Sequence, residues 1–182
     1  TAPAAARIAD NVTALSFTDT PAVAGLYFYG ITALDGALNE SPLSQGVYAL
    51  NDRLPPSAAI RFTTAQPVGP GLYRPELLLS EVLAVPPIMT FTPQGGQPTA
   101  LNLEGVTATL WRATVTITAG TPSGTANFAF QGTDLAGNVG TSLSSRTLTV
   151  DVVGPRGTGG LSKASPVGPG PLEVSLELDE PS

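Results

Sequence analysis

The side chains able to do chemistry in this chain are carboxylates and amides, because its 182 residues include no histidine and no cysteine. Asp35 and Asn39 recur as Asp134 and Asn138, 99 positions later. An Asp with an Asn close behind it is typical of a tight turn, in which the carboxylate accepts backbone amide hydrogens and Asn tolerates a left-handed conformation. Carboxylate and amide oxygens are also the ligands that Ca²⁺ accepts. A turn alone and a turn that helps to bind a cation are both compatible with the pattern.

Other chemistries are excluded by residue type. A Ser-His-Asp or Cys-His nucleophile needs residues that the chain lacks. The segment Gly157–Gly160 is rich in glycine, but it has neither the lysine nor the following helix of a phosphate-binding loop. We therefore expect no catalysis in this segment and no bound cofactor other than a cation.

Charge and hydropathy limit the partners. The net charge is −6 and the eight Lys and Arg residues are scattered singly, so neither nucleic acid nor an anionic membrane is an expected partner. No apolar run approaches the roughly 20 residues that a membrane helix needs, so we expect no membrane insertion in this segment.

The chain repeats itself at an offset of 99 residues without a gap. The repeated elements are the Asp-x-Ala-x-Asn turn at 35 and 134, Asp52 and Pro56 with Asp151 and Pro155, the Pro-Val-Gly-Pro-Gly segment at 67–71 and 166–170, and Leu77, Leu79 and Glu81 with Leu176, Leu178 and Glu180. A fixed period of this length predicts a tandem array of one module. We call residues 1–52 copy one, residues 53–152 copy two and residues 153–182 copy three. Copy two is a whole module and the others are parts, so we expect a longer parent chain.

Copy two has the periodicity of an all-β protein. Alternating or continuous apolar runs, typical of strands, are separated by turn sequences containing Gly, Pro and Asn. The predicted strands lie at 60–62, 76–79, 88–92, 101–103, 113–118, 127–131 and 147–150. Seven short strands in about a hundred residues predict two packed sheets.

Two stretches carry a resemblance to known repeat families. Tyr27–Asp35, followed by Asn39–Ser41, resembles the penultimate strand and turn of a fibronectin type III domain. Phe128–Asn138 resembles the same region of bacterial immunoglobulin-like repeats, in which Ser80–Glu81 after a strand is also usual. The resemblance implies tandem immunoglobulin-like β-sandwich modules of about 99 residues and roughly seven strands each, in proteins of the bacterial surface.

Three further features carry structural predictions. Trp111, the single tryptophan, is expected to pack in the core between the sheets. Tyr27 or Tyr29 is expected to be a corner tyrosine whose hydroxyl bonds to nearby backbone. The Pro67–Gly71 segment is expected to form a stiff turn between the first two strands of copy two.

The implied topology predicts where the acidic residues meet. In an immunoglobulin-like sandwich, the strands that end at Glu81 and Asp134 point to the same end of the module, where the linker carrying Asp52 enters. The predicted ligands of an inter-module Ca²⁺ site are Asp52, Glu81, Asp134 and Asn138. Asp151 and Glu180 would repeat this arrangement at the next junction. The alternative is that turn chemistry alone accounts for these residues.

The resulting functional prediction is a non-catalytic structural or adhesive segment, acting as a stalk or spacer in an extracellular bacterial surface or filament protein. Its partners would be neighbouring repeats, other copies of the protein, or a surface protein or glycan. One alternative is an accessory module of a secreted hydrolase that binds carbohydrate or protein. Another is a subunit that assembles with itself, the tail of one chain completing the head of another by strand addition.

Overall fold

The computed structural model describes residues 6–163 and 165–179 of the chain. These residues form strands and loops without any helix, so the prediction of an all-β fold is confirmed. Within the described residues, no helix is long and apolar enough to cross a membrane. The strands of the described residues are β1 Gly25–Tyr29, β2 Val47–Asn51, β3 Ser57–Arg61, β4 Gly71–Tyr73, β5 Glu76–Leu79, β6 Ile88–Thr92, β7 Thr99–Ala100, β8 Asn102–Gly105, β9 Leu110–Ile117, β10 Gly124–Thr133, β11 Val139–Gly140, β12 Ser142–Ser144, β13 Thr147–Val150, β14 Gly157–Leu161 and β15 Val174–Leu178.

Copy two contains two sheets arranged as in a β-sandwich. The first has the order β12-β3-β5-β9-β4, with β8 also paired to β9, and the second has the order β11-β10-β6-β7, with β13 also paired to β10. Strands lie at all seven predicted positions. The short strands β4, β7, β11 and β12 were not predicted, because two or three residues carry no readable period.

The core lies between these two sheets, and every described core residue belongs to copy two. Alternation explains the burial: Val115 and Ile117 of β9 are buried, whereas Thr116 between them is exposed. Each large apolar side chain removed from water contributes about 1.5–3 kcal/mol. The first sheet contributes Ala58, Ile60, Leu77, Leu79, Ala113, Val115 and Ile117, and the second contributes Met89, Phe91, Ala126, Phe128, Phe130, Leu148 and Val150.

Copies one and three each form a two-stranded antiparallel sheet whose register matches a pair in copy two. In copy one β1 pairs with β2 so that Gly25 lies opposite Asn51, and in copy two β10 pairs with β13 so that Gly124 lies opposite Val150. Both residues of each pair are displaced by the sequence offset of 99. The pair β14-β15 of copy three likewise repeats the register of β3-β5.

In β3-β5 Ala58 lies opposite Leu79, and in β14-β15 Gly157 lies opposite Leu178. These positions are again 99 residues apart. The inner-face residues Leu77 and Leu79 are buried in copy two, whereas their counterparts Leu176 and Leu178 are exposed, because copy three has no second sheet over it among the described residues.

The Pro67–Gly71 segment leads from β3 into β4, and it also contacts the second sheet. Val68 is buried and forms a parallel bridge with Val150 of β13. The side-chain oxygen of Gln66 accepts the amide hydrogen of Thr149 at 2.8 Å. The segment therefore covers the outer edge of the second sheet, and strand-edge amides that would otherwise be unpaired are satisfied.

The two aromatic predictions have different outcomes. The Tyr27 hydroxyl donates to the carbonyl of Val23 at 2.7 Å, the contact expected of a corner tyrosine, while Tyr29 donates instead to Asp19. Trp111 is only partly buried and packs against the edge of the core. Its indole nitrogen is buried without a hydrogen-bond partner among the described residues.

Four charged residues of alternating sign cross the outer face of the first sheet. Arg61 lies opposite Glu76, Glu76 opposite Arg112, and Arg112 opposite Glu104, on strands β3, β5, β9 and β8. The Arg61 guanidinium bonds to Glu76, and Arg112 approaches the same carboxylate at 3.5 Å. We call these four residues the charge ladder. The sequence pattern does not predict it, because its members are separated by up to 51 positions and only the strand register aligns them.

Candidate functional site

Three carboxylates from different parts of the chain meet where copy one joins copy two. Asp52 follows β2 and begins the linker, Glu81 follows β5, and Asp134 follows β10. One oxygen of each lies within 4.8 Å of the others. Asp134 is fully buried, while Asp52 and Glu81 are partly buried. We call these three residues the junction carboxylates.

Asp134 is held by the turn that follows it. Its Oδ1 accepts the amide hydrogens of Ala136 and Asn138, each at 2.8 Å, and its Oδ2 accepts the side-chain amide of Asn138 at 2.8 Å. The turn predicted from the Asp and Asn spacing is therefore present. Because it uses most of the hydrogen-bonding capacity of Asp134, it fixes the carboxylate rigidly while leaving few lone pairs for another ligand.

Asn138 also connects this turn to the linker. The same Nδ2 that bonds Asp134 lies 3.2 Å from the backbone carbonyl of Asp52. Two residues further on, Gly140 approaches the linker so closely that a Cβ atom there would lie 1.8 Å from the carbonyl oxygen of Pro56. Pro56 is itself fully buried. The linker is therefore seated on copy two and is not a free tether.

The pKa values of two junction carboxylates, Glu81 and Asp134, are shifted in opposite directions. Burial raises the pKa of Glu81 above its ordinary value, and the negative charges of Asp134 and Asp52 raise it further. Burial also acts to raise the pKa of Asp134, but the hydrogen bonds from the side chain and backbone of Asn138 and from Ala136 outweigh it. The pKa of Asp134 is therefore lowered. The site therefore disfavours the ionised form of Glu81 and favours the ionised form of Asp134.

The donor set consists of oxygen atoms alone, and this determines what it could bind. Hard divalent cations such as Ca²⁺ take six to eight oxygens at about 2.3–2.6 Å. The three carboxylates supply part of such a shell, and the carbonyl of Asp52 lies beside them. Water would have to provide the remainder. In the absence of a cation, the same carboxylates repel one another across the joint.

The remaining predicted site residues lie elsewhere. Asp35 and Asn39 form the same turn as Asp134 and Asn138, with Asp35 accepting the amides of Ala37 and Asn39 at 2.8 and 2.9 Å, but this turn is exposed. Asp151 accepts the amide of Val153 at 3.1 Å, as Asp52 accepts that of Leu54 at 2.9 Å. Glu180, the predicted partner of Asp151 at the next junction, lies outside the described residues.

Comparison of the chain with family models, with curated proteins and with solved structures found no match in any of the three.

Proposed function

We propose that this chain is a non-catalytic spacer from an extracellular bacterial surface or filament protein, built of tandem immunoglobulin-like modules of about 99 residues. The main support is the strand register. The pairs β1-β2 and β10-β13 have the same register at an offset of 99, and so do β14-β15 and β3-β5. Because register depends on side-chain pattern and on turn geometry together, its recurrence favours one module repeated along the chain.

In this proposal the joint between copies one and two determines how stiff the spacer is. The linker is seated by Asn138 and by the close approach at Gly140, and its entry brings Asp52 beside Glu81 and Asp134. A Ca²⁺ ion bound by the junction carboxylates would neutralise their repulsion, while Asn138, whose Nδ2 donates to Asp134 and to the linker carbonyl, would hold the turn and not the ion. The ion would therefore hold the two copies in one relative orientation.

Spin labels on matched turn tips test the proposal. Gly36 and Leu135 are 99 residues apart, exposed, and at the same position in their turns, and the chain has no other reactive thiol once Gly36→Cys and Leu135→Cys are introduced. We expect one narrow distribution of label-to-label distances, narrower with Ca²⁺ than with chelator. A broad distribution under both conditions would refute a stiff joint.

A matched pair of substitutions separates calcium binding from general charge effects. Glu81→Gln removes a junction carboxylate, whereas Glu177→Gln removes an exposed carboxylate of β15. We expect Ca²⁺ to raise the melting temperature of the native chain and of the Glu177 variant but not of the Glu81 variant. If Ca²⁺ shifts the melting temperature of all three proteins equally, or shifts none of them, the turn would remain the sole role of Asp134 and Asn138.

Self-assembly through the open modules is a second candidate, favoured by the exposed inner face of β15. Leu176 and Leu178 correspond to the buried Leu77 and Leu79, so a second sheet is expected to cover them. That sheet could come from continuation of the same chain or from the β1-β2 pair of a neighbour. Leu176→Asp should abolish a head-to-tail assembly, with Ser175→Asp on the opposite face as its control. Sedimentation velocity distinguishes the two variants.

A further inference from the structure

One face of the β1-β2 sheet carries four apolar side chains in two directly opposed pairs. Leu26 lies opposite Leu50, and Phe28 lies opposite Tyr48. The two aromatic rings are in contact, with centroids 5.1 Å apart and planes tilted by 56°. The exposed fractions are 68% for Leu26, 52% for Phe28, 70% for Tyr48 and 69% for Leu50. We call these four residues the copy-one outer face.

The corresponding pair in copy two identifies this face as the one that points away from a sandwich core. The positions 99 residues later are Thr125, Asn127, Thr147 and Thr149, and all four are exposed. The residues that alternate with them, Ala126, Phe128, Leu148 and Val150, are buried. Because the registers of the two pairs coincide, Leu26, Phe28, Tyr48 and Leu50 occupy outward positions.

The fold does not require apolar residues at these positions. Copy two has a hydroxyl or an amide at each of the four, and its sandwich is complete. Copy one has a leucine or an aromatic residue at each of the four. The four side chains expose on the order of 500 Å² of mostly apolar surface, which is in the upper part of the roughly 300–600 Å² found for the largest apolar patch of a monomer, a patch that is often functional. A whole face converted from polar to apolar indicates a contact surface.

We propose that the copy-one outer face binds the same face of a second copy of this chain, sheet against sheet. The face contains no charged residue, so it complements itself without bringing together the like charges of two chains that each carry −6. Two sheets pack face to face at about 10 Å. A twofold axis would place the copy-one outer face of one chain against the same face of the other chain. A glycan is a poorer occupant, because orienting a sugar requires several polar groups and the four side chains of this face offer a single one, the hydroxyl of Tyr48.

The size of the copy-one outer face indicates how strongly two copies are expected to pair. About 500 Å² per copy is less than the roughly 800 Å² per partner of a standard stable interface. We therefore expect a weak pairing, at the low end of the size range of specific interfaces. In an array, several such contacts along two parallel chains would strengthen one another, so the result is lateral pairing of spacers.

Exchange of the matched positions tests this inference. In the full chain, Leu26→Thr, Phe28→Asn, Tyr48→Thr and Leu50→Thr together give copy one the outer face of copy two. Sedimentation equilibrium should find a dimer of the native chain and a dissociation constant at least about tenfold higher for the exchanged chain. A native chain that is monomeric at about 1 mM, or an exchanged chain that dimerises equally, would overturn the proposal.

The reverse exchange keeps the test valid even where the first set of substitutions unfolds the β1-β2 pair. Thr125→Leu, Asn127→Phe, Thr147→Tyr and Thr149→Leu, made in the exchanged chain, place the apolar face on the complete sandwich of copy two. We expect these substitutions to restore the dimer. A cooperative unfolding transition of copy two would show that copy two is still folded in this chain. If the dimer is not restored although copy two is folded, the proposal is contradicted.

A thiol pair locates the contact. Because the chain has no cysteine, Leu50→Cys and the matched Thr149→Cys each give a single exposed thiol. A bis-maleimide spanning about 10 Å, the distance between packed sheets, should link two Leu50→Cys chains much faster than two Thr149→Cys chains. Equal rates would count against the outer face. A dimer lost on Leu176→Asp but kept in the exchanged chain would show that the open inner faces, not this surface, hold the copies together.

Discussion

Asn138 and Asp52 are separated by 86 positions, yet the side-chain nitrogen of Asn138 lies 3.2 Å from the backbone carbonyl of Asp52. The same nitrogen bonds Oδ2 of Asp134 at 2.8 Å. One side chain therefore connects the turn after β10 to the linker that enters copy two. The equivalent residue of copy one, Asn39, bonds Asp35 in the same way but has no such linker contact among the described residues. This difference makes the two asparagines a matched pair.

Asn138→Ala is expected to lower the melting temperature of copy two by about 5 °C or more. The substitution removes a hydrogen bond to the buried Asp134 and the contact with the linker, whereas Asn39→Ala removes only an exposed turn contact. Thermal unfolding followed by circular dichroism measures both variants. Equal losses would mean that the linker contact contributes nothing.

Gly140→Ala is expected to destabilise copy two by about 1–3 kcal/mol, because the new Cβ would collide with the backbone of Pro56. Relief requires the linker to move away from the end of the sandwich. Gly154→Ala is the control, since nothing lies within 4 Å of a Cβ placed there. Urea unfolding of the two variants gives the comparison, and a neutral Gly140→Ala would disprove the close seating of the linker.

Glu81→Gln is expected to stabilise the chain at pH 7 in the presence of chelator. The pKa of Glu81 is raised in the folded state, so the stability that its protonation provides is present below its ordinary value of 4.5 and is lost as the pH rises through the folded pKa. The variant should therefore melt a few degrees above the native chain at pH 7, about 2–5 °C, and the difference should shrink towards pH 4.5. Melting temperatures from pH 4 to pH 8 test the sign. A difference independent of pH would show that Glu81 does not titrate in this way.

Glu76→Gln tests the charge ladder. The hydrogen bond from Arg61, with help from Arg112, lowers the pKa of Glu76 in the folded state. The stability that its ionised carboxylate contributes is therefore present above the ordinary pKa of 4.5 and is lost as the pH falls through the lower folded pKa. We expect a decrease of about 2–5 °C in melting temperature at low ionic strength and a smaller one at high salt. Glu177→Gln should have little effect in either buffer. A decrease of the same size at both salt concentrations would indicate lost packing instead of lost charge pairing.

Much of copy two could be predicted from the sequence, because strand alternation is a local property. The run at 113–118 already indicates which side chains face the core, and β9 buries Val115 and Ile117 as that pattern requires. The turn at Asp134 could be predicted for the same reason, since every bond of the turn lies within four residues. The short strands β11 and β12 could not be found, because they exist only through pairing with distant partners.

The meeting of Asp52, Glu81 and Asp134 is an intermediate case. Sequence alone identifies the residues and their repeat at 99, and a resemblance to immunoglobulin-like modules suggested that they converge. The approach of the three carboxylates to within 4.8 Å, the bond from Asn138 to the linker and the close approach at Gly140 depend on how the linker packs.

The period of 99 residues, the β character of the chain and the local turns can be predicted from the sequence alone, because each depends on neighbouring residues or on direct self-comparison. Which face of β1-β2 points outwards depends on how the folded strands pair. The run Leu26-Tyr27-Phe28-Tyr29 is apolar or aromatic at every position, so its alternation gives no preferred face. The register with β2, matched to the register of β10 with β13, assigns Leu26 and Phe28 to the outer side. Pairing between strands is long-range in sequence, and for that reason an outward apolar face can be recognised only after the strands are placed side by side.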